Sequence, residues 1–211
     1  MALAAKDLGV PLVHLSTDYV FDGSKLSPYT EEDSTGPTGV YGASKVAGEE
    51  AVLSAHGTAA VLRTAWVYSP FGANFLKTML RLAADRDEIF VVSDQRGNPT
   101  SALDIADGVL SVLANLHASE ERALRGTFHM TGEGEASWAE FAEAIFVAAE
   151  SLDGPVARVR PIPTADYPTP AKRPMNSRLD CSKLARIHGV RLPDWRRSVE
   201  ATVARLVKAE A

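Results

Sequence analysis

Residues 40–64 read VYGASKVAGEEAVLSAHGTAAVLRT, which is the pattern of a helix followed closely by a buried strand. We predict the helix over 40–55, with Gly57 as its stop, and the strand over 59–64. An apolar run over 11–17 precedes this pair and predicts an earlier strand. A strand, a helix and a strand in this order are typical of two parallel strands joined by a crossover helix.

The same alternation of helix and strand continues on both sides of this segment. Residues 1–8 have the composition of the last turns of a helix, and Gly9 ends it. Capping residues and the spacing of apolar residues predict helices over 74–86, 101–116, 137–151, 182–188 and 194–208, and strands over 89–92, 127–130 and 156–159. These elements predict an α/β fold with a mainly parallel sheet and helices on its faces.

The composition excludes several classes of protein. Of 211 residues, 45% are hydrophobic and 23% are charged, which is ordinary for a globular chain and excludes disorder. The 22 basic and 27 acidic residues leave a net charge of −5, so no basic face is offered to a nucleic acid. A single cysteine, Cys181, indicates a reducing compartment, and no apolar segment approaches the ~20 residues of a membrane helix. We therefore expect a cytoplasmic protein with no nucleic-acid or membrane partner and no metal site.

A phenol and an ammonium lie four residues apart at the start of the predicted helix, at Tyr41 and Lys45, and so share one helix face. A lysine cation beside a tyrosine favours the phenolate and moves the pKa of a phenol from about 10 toward neutrality. Such a tyrosine is a proton donor or acceptor at working pH. The same spacing also arises in solvated helices, so an exposed structural pair is the alternative.

Polar and aromatic side chains follow both predicted strands at their C-terminal ends. The run Ser16–Gly23 (STDYVFDG) carries hydroxyl and carboxyl groups, and doubly wound sheets bind ligands beyond such strand ends. An ordinary turn would favour the same residue types. Trp66 follows the second strand and is suited to stacking on a sugar or nicotinamide ring, or to capping the core.

These segments, in this order, resemble the extended short-chain dehydrogenase/reductase superfamily, and more closely the dTDP-4-dehydrorhamnose reductase family. The motifs that carry the resemblance span nearly the whole chain: LSTDYVFDG (15–23), PTGVYGASK (37–45), RTAWVY (63–68), DQRGNPT (94–100), RPMNSRLD (173–180) and LPDW (192–195). The Tyr-x-x-x-Lys spacing marks only the superfamily, whereas the first and fifth motifs narrow the resemblance to the reductases.

The resemblance implies reduction of the C4 keto group of dTDP-4-dehydro-L-rhamnose by NADPH, giving dTDP-L-rhamnose for polysaccharide biosynthesis. It implies that Tyr41 is the catalytic acid, that Lys45 assists it and holds the nicotinamide ribose, and that Thr17 completes the catalytic set. Thr17, Asp18 and Trp66 match positions that contact the nucleotide sugar. The residues leave open whether NADH replaces NADPH and whether magnesium takes part.

The chain departs from the family pattern at its start. Family members begin with a βαβ unit whose glycine-rich turn binds the cofactor pyrophosphate, and no such unit is found here. Gly36, Gly39 and Gly42 have the spacing of that turn, but they follow a polar loop rather than a strand. We therefore expect an N-terminally truncated family member. Three explanations are open: the sequence is a shortened version of a longer protein, which we favour, a homodimer or a partner chain supplies the missing half, or the chain has lost catalysis.

The expected architecture is a partial doubly wound, Rossmann-like parallel sheet that lacks its first βαβ units, with a smaller C-terminal α/β substrate lobe. The catalytic part is expected over 1–70, with return elements near 95–116, and the substrate lobe mainly over 71–94 and 117–211. The first strand would then be an exposed edge of the sheet.

Two further functions share this resemblance. One is a non-catalytic subunit related to the regulatory subunit of methionine adenosyltransferase, which acts through a partner enzyme. The other is a nucleotide-sugar epimerase or dehydratase of the same superfamily. Tyr41 and Lys45 favour an enzyme, and the motifs at 94–100 and 173–180 favour a reductase.

Overall fold

The computed structural model describes residues 1–168 and 173–210, in which helices and strands alternate. The helices are α1 (Ala2–Asp7), α2 (Val40–Ala55), α3 (Phe75–Ala83), α4 (Ala102–Ala118), α5 (Trp138–Glu150), α6 (Ser182–His188) and α7 (Trp195–Glu210). The strands are β1 (Leu12–Thr17), β2 (Ala59–Thr64), β3 (Val67–Tyr68), β4 (Glu88–Val92), β5 (Arg96–Gly97), β6 (Thr100–Ser101), β7 (Gly126–His129), β8 (Ala136–Ser137) and β9 (Arg158–Ile162). None of the described helices has the length and apolar character needed to cross a bilayer.

A parallel three-stranded sheet forms the centre of the first half, in the order β1-β2-β7. The crossover from β1 through α2 to β2 is the one that the sequence predicts. In the register of β1 and β2, Thr17 lies opposite Thr64, so the two strands end at the same level. β4 and β9 form a second parallel pair, and β5 and β8 an antiparallel one. The predicted α/β class with a mainly parallel sheet is confirmed.

β1 is an edge of this sheet within the described part of the chain, since it pairs with β2 alone. Its open side carries main-chain groups that a further strand could pair with, and Leu15 is 43% exposed. The predicted exposed edge is therefore present.

The described residues form three apolar cores, of which two are large. The first lies between the central sheet and helices α4 and α6, and its buried residues include Leu62, Ile105, Val112, Phe128 and Leu184. The second lies among α3, α5, α7 and β4, and its buried residues include Leu76, Ile89, Phe141, Ile145 and Val199. β7 and α6 belong to the segment expected in the substrate lobe, yet both pack in the first core.

Local signals place most helix ends correctly. Ser137 and Glu140 form the predicted capping box at the start of α5, with Ser137 Oγ accepting from Glu140 N at 3.1 Å. Gly189 ends α6 in the left-handed conformation, with φ of 68°.

Two details differ from the prediction. α2 ends at Ala55 as predicted, but the residue after it, His56, is extended with φ of −138°, and Gly57 is not left-handed, so the glycine is not the stop. The His56 ring contacts Val10 O at 2.8 Å and fixes the chain there instead. The last strand covers 158–162 rather than 156–159, because its pairing with β4 begins at Arg158.

Candidate functional site

A pocket of about 500 Å³ opens at the C-terminal ends of β1 and β2. Four predicted site residues line it: Thr17, Asp18, Tyr41 and Trp66. The opposite wall comes from α3, α5 and the fifth sequence motif, through Phe75, Trp138 and Arg173. A cavity of about 600 Å³ between α3 and α7 contains none of the predicted residues. The smaller pocket is therefore the candidate active site.

Tyr41 stands at the first turn of α2 with 56% of its surface exposed. Its ring packs edge-to-face on Tyr19, with the ring centroids 6.1 Å apart. The adjacent Gly42 permits this approach, because a Cβ there would lie 2.1 Å from Tyr19 O and 2.8 Å from Pro37 Cβ. Gly42 therefore allows α2 to pack closely against Tyr19 and Pro37. The spacing of Gly36, Gly39 and Gly42 does not indicate this role.

Replacing Gly42 with alanine should lower the free energy of unfolding by about 1–3 kcal/mol, because the new Cβ overlaps main-chain atoms. It should also weaken ligand binding in the pocket, since α2 and Tyr41 must move away from the end of β1. Gly57→Ala is the matched control, because a Cβ at Gly57 meets no atom within 4 Å. Urea unfolding and ligand titration check both variants, and equal losses would contradict the packing role.

Lys45 lies on the same side of α2 as Tyr41, but its ammonium is directed to the sheet edge. Lys45 Nζ donates to Leu15 O at 2.7 Å, and Lys45 is not among the residues that line the pocket. This bond links α2 to β1, the strand that carries Thr17. The sequence predicts that Tyr41 and Lys45 share one face of the helix, but it does not predict that Leu15 O accepts the hydrogen bond from Lys45.

Thr17 and Asp18 form a buried pair at the end of β1. Thr17 Oγ1 donates to Asp18 Oδ1 at 2.8 Å and accepts from Tyr19 N at 3.3 Å. Asp18 is 3% exposed, and its Oδ2 has no hydrogen-bond partner among the described residues. Burial raises the pKa of the Asp18 carboxyl to about 6, although hydrogen bonding from the Thr17 and Ser177 hydroxyls opposes the rise.

Trp66 packs at the edge of the second core and also lines the pocket. Its indole stacks on Trp138 with the ring centroids 3.6 Å apart and the planes at 7°. Its Nε1 donates to Ser177 Oγ at 3.0 Å. The backbone is left-handed at Trp66, with φ of 46°, which is strained for a bulky residue. A Cβ at Gly97 would lie 2.3 Å from the indole, so this glycine makes room for it.

Known proteins match this chain over nearly its whole length. A family model described as the RmlD substrate binding domain matches residues 1–208. The chain is 54% identical over 203 residues to a dTDP-4-dehydrorhamnose reductase from Sinorhizobium fredii, which covers 96% of this chain and 69% of that protein. The chain belongs to the dTDP-4-dehydrorhamnose reductase family. The Escherichia coli K12 reductase of that name is 38% identical over 213 residues, covering 100% of this chain and 71% of the relative.

A solved structure shows the same fold. The crystal structure of the Bacillus anthracis dTDP-4-dehydrorhamnose reductase in complex with NADP superimposes with a TM-score of 0.87 at 36% identity. The match covers 97% of this chain and 69% of the crystallised chain. The names of these relatives favour the reductase over the regulatory-subunit and epimerase or dehydratase alternatives.

Side chains of the fourth and fifth family motifs support the pocket wall at Trp138. Trp138 Nε1 donates to Gln95 Oε1 at 3.2 Å, and Gln95 Nε2 donates to Thr164 Oγ1 at 3.0 Å. Thr164 Oγ1 in turn donates to Asp94 Oδ1 at 2.6 Å. Arg173 lies 5.9 Å above the Trp138 ring. Trp138 and Arg173 are site residues that the sequence does not single out, because only the fold brings them to Trp66.

A buried ion pair fixes α2 on the sheet beneath the site. Glu49, one turn beyond Lys45, accepts from Arg63 Nη2 at 2.6 Å and from Arg63 Nε at 2.9 Å. The side chains of Glu49 and Arg63 are 5% and 7% exposed, and the guanidinium lies 5.1 Å above the Phe21 ring. This buried ion pair holds α2, the helix that carries Tyr41 and Lys45, against β2.

Proposed function

We propose that this family member reduces the C4 keto group of dTDP-4-dehydro-L-rhamnose with NADPH, giving dTDP-L-rhamnose for polysaccharide synthesis. The observation that carries the proposal is the convergence of Thr17, Asp18, Tyr41 and Trp66 on one pocket, in a chain 54% identical to a reductase of that name. Pockets beyond the C-terminal ends of parallel strands are where doubly wound sheets bind their ligands.

The pocket residues suit a keto sugar. The exposed phenol of Tyr41 donates a proton to the C4 oxygen, and the Thr17 hydroxyl hydrogen-bonds the same atom. Trp66, backed by Trp138, provides a flat apolar wall for the sugar ring. Asp18 contributes a carboxyl group to the polar side of the pocket. Dinucleotide NADPH supplies the hydride when bound.

The adjoining cavity suits the nucleotide part of the substrate. It has a volume of about 690 Å³, lies against β4 and β9, and shares Phe75, Trp138 and Arg173 with the sugar pocket. The Arg173 guanidinium at the junction is placed to receive the diphosphate that joins sugar and nucleoside. The second core and this cavity together form the proposed substrate lobe.

Tyr41 and Lys45 fit the nicotinamide end of the cofactor. The Lys45 ammonium uses one donor on Leu15 O and keeps two for ribose hydroxyls. Within 1–168 and 173–210, no glycine-rich turn connects a strand directly to a helix in the way that pyrophosphate binding requires. We propose that a second copy or another polypeptide segment supplies that part of the cofactor site. We also propose a cytoplasmic location, on the evidence of the single cysteine.

Calorimetry and an NADPH-oxidation assay test the proposal on this chain. We expect dTDP-L-rhamnose to bind, and dTDP-4-dehydrorhamnose to be reduced once the cofactor site is complete. Failure to bind either dTDP-sugar would contradict the proposed function. NADPH binding would show that a second copy or an unrecognised segment of this chain completes the cofactor site, and sugar binding without NADPH binding would show that a further polypeptide segment is needed.

A further inference from the structure

The single proton of the Thr17 hydroxyl is committed in this structure. A hydroxyl donates one hydrogen bond and accepts two. Thr17 Oγ1 donates to Asp18 Oδ1 and accepts from Tyr19 N, so it has one acceptor position left and no donor. A carbonyl oxygen can only accept a hydrogen bond. Thr17 cannot therefore bind the C4 carbonyl of a keto sugar while it donates to Asp18.

Turning the Thr17 proton toward the sugar creates a second difficulty. The ionised Asp18 carboxylate would then face the lone pairs of Thr17 Oγ1 at 2.8 Å with no proton between them. Asp18 is 3% exposed, so solvent has little access to this contact, and the Ser177 hydroxyl nearby stabilises the carboxylate only in part, since burial still raises the Asp18 pKa. A protonated Asp18 removes the conflict. Its carboxyl O–H donates to Thr17 Oγ1 and replaces the hydrogen bond that Thr17 donates to Asp18 in this structure.

We propose that Asp18 is a positioning residue whose carboxyl proton sets the direction of the Thr17 hydrogen bond, so that the keto sugar binds with uptake of one proton. With Asp18 protonated, the bonds run from Asp18 to Thr17 and from Thr17 to the C4 oxygen. The proton comes from the solvent and forms the O–H bond of the Asp18 carboxyl group, and no other covalent bond forms or breaks in this step. The inference deepens the proposed function and rests on it.

The surroundings of Asp18 allow this change of protonation. The titratable and charged groups that line the pocket around it are the Tyr19 and Tyr41 phenols and the Arg173 guanidinium. Of the described lining residues, Arg173 alone is a cation, and it is exposed. Burial dominates, and it raises the pKa of Asp18 to about 6. The free site is therefore mostly ionised at pH 7 and takes up close to one proton when the keto sugar binds.

The product needs no change in the hydrogen bond between Thr17 and Asp18. The C4 hydroxyl of dTDP-L-rhamnose can donate to Thr17 Oγ1 while Thr17 continues to donate to an ionised Asp18. Product binding then needs no proton. Above pH 6, affinity for the keto sugar should fall about tenfold per pH unit, because each unit lowers the protonated fraction tenfold, while affinity for the product stays level.

Calorimetry of the full chain in two buffers of different ionisation enthalpy measures the proton uptake directly, at pH 7, for both dTDP-sugars. We expect close to one proton for dTDP-4-dehydrorhamnose and almost none for dTDP-L-rhamnose. Asp18→Asn presents an amide donor to Thr17 at every pH, so it should bind the keto sugar without proton uptake and without the pH dependence. Asp107→Asn, at an exposed carboxylate on α4, is the matched control and should behave like the wild type.

The outcomes separate the two proposals. Equal proton uptake with both sugars, or unchanged uptake in Asp18→Asn, would overturn the inference and leave the proposed function standing. Failure of the wild-type chain to bind either sugar would overturn both. Thr17→Val gives a readout that needs no ligand: NMR titration should show a higher Asp18 pKa, because the valine cannot donate to the carboxylate, and an unchanged pKa would also count against the pair.

Discussion

Replacing Tyr41 with phenylalanine should reduce the turnover of dTDP-4-dehydrorhamnose by about 10²–10⁴-fold, the usual contribution of a positioned general acid. The change removes only the phenolic O–H. The ring keeps its edge-to-face contact with Tyr19, and the site is exposed, so the free energy of unfolding should hardly change. Initial rates of NADPH oxidation, measured with the cofactor site complete, check the prediction.

Tyr19→Phe is the matched control for this experiment. Tyr19 also lines the pocket and forms the other half of the aromatic pair, so both variants remove one phenolic O–H from the same space. We expect Tyr19→Phe to retain most of the turnover. Turnover of Tyr41→Phe within twofold of wild type would remove Tyr41 from the mechanism.

Replacing Arg63 with methionine should lower the free energy of unfolding by about 3–5 kcal/mol, because it leaves the buried Glu49 carboxylate without a partner. The double variant Glu49→Leu/Arg63→Met should lose much less, since no buried charge remains. Urea unfolding of the single and double variants, analysed as a double-mutant cycle, measures the coupling.

The exposed pair of Arg160 and Glu88 provides the control for the buried one. Their side chains are 51% and 36% exposed, so Arg160→Met should cost at most about 1 kcal/mol. A similar loss for Arg63→Met and Arg160→Met would show that the buried pair contributes no more than a surface contact.

Much of the fold can be predicted because its signals are local. The bounds of α2 and β2 follow from apolar spacing within a few residues, and the capping box of Ser137 and Glu140 fixes the start of α5. The stop of α2 could not be predicted from Gly57, because the chain there is fixed by a contact between the His56 ring and Val10 O, in the loop that precedes β1. Boundaries that depend on such long-range contacts leave no mark in the neighbouring sequence.

Some residues of the candidate site could be predicted from the sequence, and others could not. Thr17, Asp18 and Trp66 could be placed together because parallel strands end at one edge of a sheet. The partners Trp138 and Arg173 could not, because they reach Trp66 only through the packing of α5 and the fifth motif. The Glu49–Arg63 pair could not be predicted either, because the sequence places Arg63 in a buried strand without indicating that Glu49 is its partner.

The stacked indoles of Trp66 and Trp138 give the site a built-in optical probe. The two rings lie 3.6 Å apart and nearly parallel, so their emission depends on how closely they overlap. The third tryptophan, Trp195, is 1% exposed and does not line the pocket. A ligand that tilts Trp66 by a few degrees should therefore change the intrinsic fluorescence without any added label, and occupancy of the sugar pocket can be followed in real time on the unmodified chain.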